Sequence, residues 1–199
     1  NDMNASVING PATAATRGAR AARFSVQVQT GIFSTVVATT DEQVRAAAQR
    51  TKEAIAGFED QITQAEAALP EISNDMEAVR RRMRDILDGP CANTIRIGQA
   101  DTSGEGVAKA GVDMEQNCRP RLRSIVDDLA KVNDKIVDIR NQRTAEATAI
   151  AQSTVKSTLT GLVIATLAIL ALAVWLVRTG VVRPVQASLG VMTALGRGE

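Results

Sequence analysis

Histidine and tyrosine are absent from the 199 residues, and the aromatic complement is three Phe and one Trp. Without imidazole there is no His-based acid–base chemistry and no Ser-His-Asp triad, and most zinc sites are excluded. Two cysteines, Cys91 and Cys118, cannot close a four-ligand metal site. No catalytic residue, metal ligand or cofactor is expected, and the chain does not read as an enzyme. Charge bias of either sign is missing too: 23 Lys and Arg against 22 Asp and Glu leave +1, so nothing points to nucleic acid as a partner. Aromatic and β-branched runs are too few for a sandwich or barrel. Ala, Gln, Arg, Glu and Asp are plentiful instead, which suits long helices packed through small and aliphatic side chains.

What is present is a run of nineteen residues without a charge, Leu159 to Val177, flanked by Lys156 and Arg178. As a helix it spans roughly 28 Å at ~1.5 Å per residue, close to the hydrocarbon thickness of a bilayer. A buried core helix of that length would normally keep a polar face, so the run is predicted to cross a membrane. Its place near the end of the chain excludes a cleaved signal peptide. Asn1 in place of an initiating Met, and a short tail after the span, suggest a piece of a longer protein.

Ahead of the span the chain reads as helices. Phe24, Val28, Ile32 and Val36 recur every fourth residue and predict a helix from about Pro11 to Ala38. Against it stand the alternation of Phe24 to Gln29 and the presence of Gly31. Thr40-Asp41-Glu42 reads as a helix start. Ile55, Phe58, Ile62, Ala65 and Leu69 then form a heptad seam. Pro70 interrupts it, and Ile72, Met76, Val79, Met83 and Ile86 continue in phase. Phase favours a kinked single helix and length favours a turn at Pro70; the turn is preferred. Residues Ala92 to Gly111, polar and Gly-rich, read as loop, most clearly over Asp101 to Gly106. After Pro120 the seam Leu122, Ile125, Leu129, Val132, Ile136, Ile139 runs without a breaker into the span, which predicts one helix from about Arg119 to Val177.

Cys91 and Cys118 lie almost symmetrically about the predicted loop. In a helical hairpin with its tip there they face each other at equal height, within reach of a disulfide. Two buried, reduced cysteines are the plainer alternative. A bridge would close a loop of 28 residues counted inclusively and would place this part outside the cytoplasm.

Past the span, Arg178, Arg183 and Arg197 against Glu199 make a basic tail, as expected on the cytoplasmic side. Pro184 follows Arg183, then Val185, Leu189, Met192 and Leu195 fall at helical steps before Gly198-Glu199. This resembles the opening of a HAMP linker. With Gly10-Pro11, Thr40-Asp41-Glu42-Gln43 and Arg119-Pro120-Arg121-Leu122, the part before the membrane resembles the sensor region of bacterial methyl-accepting chemotaxis proteins. The resemblance implies an all-α fold: an extracytoplasmic antiparallel four-helix bundle over residues 1–156 continuing into a transmembrane helix, 157–178, and the start of a HAMP linker, 179–199. It implies an inner-membrane homodimer with 1–156 periplasmic and the C-terminus cytoplasmic. The implied partners are the lipid bilayer, a small-molecule ligand or periplasmic binding protein, and cytoplasmic signalling proteins. The chain lacks Tyr and any recognisable ligand triad, so no ligand is carried over.

Candidate sites are few. Arg17, Arg20 and Arg23 recur every third residue and could hold a carboxylate at a dimer interface, although such stripes are more often solvated. Arg80, Arg81, Arg82 and Arg84 read as an ion-paired surface with Asp85 and Asp88. Arg119, Arg121 and Arg123 form a third basic group read the same way, and Asn133, Gln142 and Arg143 read as register-setting polar groups. Trp175 and Arg178 read as anchors at the inner membrane interface. The function expected is transmembrane signal transduction in chemotaxis, relayed through the last helix. The alternatives are the sensor region of a histidine kinase or cyclase, and a structural coiled-coil tether.

Overall fold

The computed structural model describes residues 2–178. The tail from 179 on, with the HAMP-like segment, lies outside the described residues. Every regular element among them is helical, so the fold is all-α: α1 Asp2–Val36, α2 Asp41–Ala68, α3 Ser73–Asp88, α4 Ala92–Ala100, α5 Gly104–Asp113 and α6 Arg119–Val177. A 3-10 turn, Pro70–Ile72, joins α2 to α3, and a π-helical turn, Met114–Cys118, joins α5 to α6. The chain divides into two compact units, Asn1–Thr144 and Ala145–Glu199.

In α1 the four-residue spacing prevails over the alternating one. Val28, Ile32 and Val36 are buried while Val26 is half exposed, the opposite of what a strand would do with Val26 and Val28. The helix starts well before the predicted Pro11. Pro11 is buried inside it, at the cost of one backbone hydrogen bond. Gly31, unfavourable for a helix, is there for packing: a Cβ would sit 3.1 Å from the Thr51 Cα of α2. At Gly57 on α2 the space of a side chain is taken by the Phe24 ring. Two helices meet closely at these glycines.

Thr40 caps α2 by accepting from the Gln43 N–H at 3.3 Å, and the Gln43 side chain accepts from the Thr39 N–H at 2.9 Å. The predicted seam faces inward: Phe58, Ile62, Ala65 and Leu69 are buried and Ile55 partly so. At Pro70 the chain turns. Arg84 on α3 reaches Glu59 on α2 at 2.8 Å, and Arg80 reaches Glu66 at 2.8 Å, contacts a kinked straight helix could not make. The 3-10 turn uses Pro70 at its first position, where a missing N–H is harmless.

The predicted loop over Ala92 to Gly111 is a correction. All but Asp101–Ser103 of that stretch is helical, in α4 and α5. Glycine composition suggested flexibility, but Gly98 lies against the Thr35–Val36 backbone of α1, and Gly106 and Ala110 are buried. Small residues were selected by close contact, and tertiary packing overrides their weak propensity. Only the tip turns: Asp101 accepts from the Ser103 N–H at 2.9 Å and Ser103 from the Gly106 N–H at 3.2 Å.

Along α6 the predicted seam is buried, with Leu122, Ile125, Leu129, Val132 and Ile136 in one core with α1, α2 and α3 and Ile139 packed against it. Polar contacts tie this part of α6 to α3: Arg82 to Asp128 at 2.7 Å, Lys135 to Asp75 at 2.5 Å, and Arg143 to Glu71.

Candidate functional site

The chemistry-bearing side chains gather where helices are irregular. Cys91 occupies the break between α3 and α4 set by Gly89-Pro90, and Cys118 ends the π turn. Their Cα atoms are 4.5 Å apart, both residues are fully buried, and the sulfurs stand at disulfide distance. Beside them Thr94 is buried and donates to Asp113, and Asn117 donates to the other carboxylate oxygen at 2.8 Å. The Thr94 hydroxyl, helped by Asn117 and Asn93, holds the Asp113 carboxyl below the ordinary carboxylate range, against a smaller opposing effect of burial. These contacts fasten α4 to the π turn. They also bound an open polar hollow of about 330 Å³ whose rim includes Gln116 and Arg121.

Arg119 follows the π turn directly. Its guanidinium Nη1 pairs with Glu115 at 2.5 Å while its Nε is buried without an acceptor. It borders a hollow of about 190 Å³ between the π turn and α1, with Met114, Gln29 and Phe33. A third groove, of about 430 Å³, runs between α1 and α2, with Phe24, Ala54, Arg50 and Glu53 among its walls.

The residues expected from sequence are spread out. Arg17 is half buried and donates to the Gln61 Oε1 of α2 at 3.3 Å, and the buried Gln61 donates on to Asp60 at 3.0 Å. Arg20 and Arg23 are exposed. A step of three residues turns about 60° short of a full turn, so the three arginines fan around α1 rather than share a line. Arg80, Arg82 and Arg84 are ion-paired, with different partners from those expected: Glu66, Glu77, Asp128 and Glu59 rather than Asp85 and Asp88. Asn133 and Gln142 are exposed, and Arg143 pairs with Glu71. Trp175 is 61% exposed near the end of the apolar run, and Arg178 follows it, also exposed. Among the described residues no cluster of three His, Cys, Asp or Glu side chains forms a metal site.

Among the described side chains of the run, the large apolar ones have no cover. Leu162, Ile164, Leu167, Ile169, Leu170, Leu172 and Val174 are all more than half exposed. One helix among the described residues is long and apolar enough to cross a membrane, with a mean hydropathy of 2.2 in its most apolar window.

No family model, no curated protein and no solved structure matches the chain.

The grooves were not legible in the sequence. Arg50 and Glu53 sit in an ordinary run of helix-forming residues, and only the α1–α2 contact gives them a cavity to border. Gly31 was the one available signal, as a glycine in a helix that has a packing reason.

Proposed function

We propose that this chain is the sensor and membrane-spanning part of a transmembrane signal transducer of the chemoreceptor kind. The observation that carries this is α6. A single helix, Arg119–Val177, holds both the buried seam from Leu122 to Ile136 and the uncovered apolar run. A displacement of its first part would then reach the membrane and the HAMP-like tail, as a shift or rotation that biases two packings of the output module.

The contacts support an antiparallel four-helix bundle as the sensor. Residue numbers rise on one helix as they fall on the next: Arg17 with Gln61, Glu66 with Arg80, Glu59 with Arg84, Asp75 with Lys135, Arg82 with Asp128. In this reading α3 with α4, and α5 with α6, each make one leg. Homodimerisation is supported by an apolar stripe on α1, where Val26, Phe33 and Val37 are each about half exposed at heptad-like spacing. The disulfide-distance pair supports a periplasmic place for residues 1–156, with the C-terminus in the cytoplasm. The ligand, whether a small molecule or a binding protein, would act on this outer part, and cytoplasmic signalling proteins would read the other end.

The test is a fusion of residues 1–199 to the signalling half of a well-behaved chemoreceptor, with one, two or three residues inserted after Ala151. Each insertion rotates the lower part of α6 by ~100°. A transducer predicts that kinase output changes periodically with insertion number. Output indifferent to all three insertions would leave only a membrane tether.

A further inference from the structure

The groove between α1 and α2 is built for a ligand with an apolar body. Its floor is made of groups too small to fill it, Gly31 and the buried Ala54, and the Phe24 ring, seated against Gly57, closes one end. The α1 wall carries two hydroxyls already engaged with their own helix: Thr30 donates to the Val26 carbonyl at 2.9 Å and Ser34 to the Thr30 carbonyl at 2.8 Å. Neither proton is left for a ligand.

The α2 rim is different. Arg50 uses its Nε on the Ala46 carbonyl at 3.3 Å, which leaves four of five guanidinium N–H groups. Glu53 accepts from the Gln49 amide at 2.8 Å through one oxygen, which leaves the other. Arg50 and Glu53 are not paired with each other, although a spacing of three residues puts their Cβ atoms about 5–6 Å apart. Arg50 and Glu53, both exposed, thus offer spare donor and acceptor capacity one helical turn apart at the rim of an apolar floor. A hydrocarbon would leave both charges unanswered. A polyol would leave Phe24 and Ala54 in contact with polar groups, and a small inorganic anion would touch nothing but Arg50.

We propose that this groove binds a small hydroxylated aromatic carboxylate, its carboxylate on Arg50, its ring against Phe24 and its hydroxyl donating to Glu53. The larger free capacity of Arg50 makes the anionic end the anchor. The physiological meaning of such binding rests on the sensor reading above; the binding itself does not.

The experiment uses the full chain in lipid nanodiscs and calorimetric titration with 3-hydroxybenzoate. Saturable binding is expected, with none for acetate, which lacks the ring, or for benzyl alcohol, which lacks the carboxylate. Arg50→Gln, an exposed change that should leave thermal unfolding alone, is expected to weaken binding about tenfold or more. Glu53→Ala, which removes the acceptor, should narrow the difference in affinity between 3-hydroxybenzoate and benzoate. Arg20→Gln should do nothing. Absence of saturable binding at millimolar probe, or binding that survives Arg50→Gln, overturns the proposal, as does loss with Arg20→Gln in its place. Binding as described in a chain whose fusion ignores insertions after Ala151 would retain the groove and remove the transducer; the converse result would do the reverse.

Discussion

Two stretches of α6 meet opposite surroundings. From Leu122 to Ile136 one apolar stripe is buried and the remaining faces carry Asp127, Lys131, Asp134 and Lys135 in solvent. From Leu159 to Val174 every face is apolar, and its large side chains are uncovered. Backbone geometry is the same in both. On the function proposed above, what differs is the solvent each stretch meets: an amphipathic stripe answers to a core bordered by water, an all-round apolar surface to hydrocarbon.

The comparison breaks most visibly if a charge is moved from one stretch to the other. Leu167→Arg costs about 2.5–3.5 kcal/mol of insertion at the centre of a membrane helix and is expected to drive much of the protein out of the alkali-resistant membrane fraction. The same change at Lys131, already a solvated cation, should leave both insertion and stability untouched. Retention of the Leu167→Arg protein in the membrane at wild-type level would mean that the run is not the span.

The core that the first stretch serves comes next, read out as folding stability rather than localisation. Phe58 is fully buried in the cluster that includes Ile125. Phe58→Ala is expected to cost about 3–5 kcal/mol in urea unfolding of the unit Asn1–Thr144 while membrane association persists. An equal loss of both properties would show that the two units do not unfold separately.

Below that comes the pair at the helix irregularities. Replacing Cys91 and Cys118 together by Ala should cost about 2–4 kcal/mol. The loss should be concentrated in amide exchange over α4, α5 and the π turn rather than over Val28 to Phe58. Uniform loss would make the pair a clamp on the whole unit Asn1–Thr144.

The smallest effect is a pH dependence. Asp113 has its folded pKa depressed by Thr94 and its neighbours. A depressed carboxylate contributes stability that is present above the unfolded pKa of about 3.9 and is lost as pH falls through the folded value. Asp113→Asn should therefore lower stability at neutral pH and flatten its decline below about pH 4. An unchanged acid limb would assign the decline to other carboxylates.

Much of this was readable in advance wherever one physical pattern dominated. The three-four spacing located the buried faces of α2, α3 and α6, because burial of an apolar stripe is what makes a helix of that sequence stable at all. The Cys91–Cys118 juxtaposition followed from their placement about a tip. Composition misled over Ala92 to Gly111, because small residues are ambiguous between flexibility and close packing. Arg80, Arg82 and Arg84 were rightly read as paired, but charge partners on a helix surface are chosen by the neighbouring helix as much as by sequence proximity. Local sequence could see Asp85 and Asp88; it could not see Glu59 or Asp128.

By itself the sequence determined the helical class, the inward faces and the apolar run, since each is set by side chains repeating at the period of one helix. Tertiary structure alone decided the turn at Pro70, the partners of the arginines, and the hollow that Arg50 and Glu53 border. Those depend on which residues from separate helices come to the same height, and the free energy of such contacts is not written in any one segment.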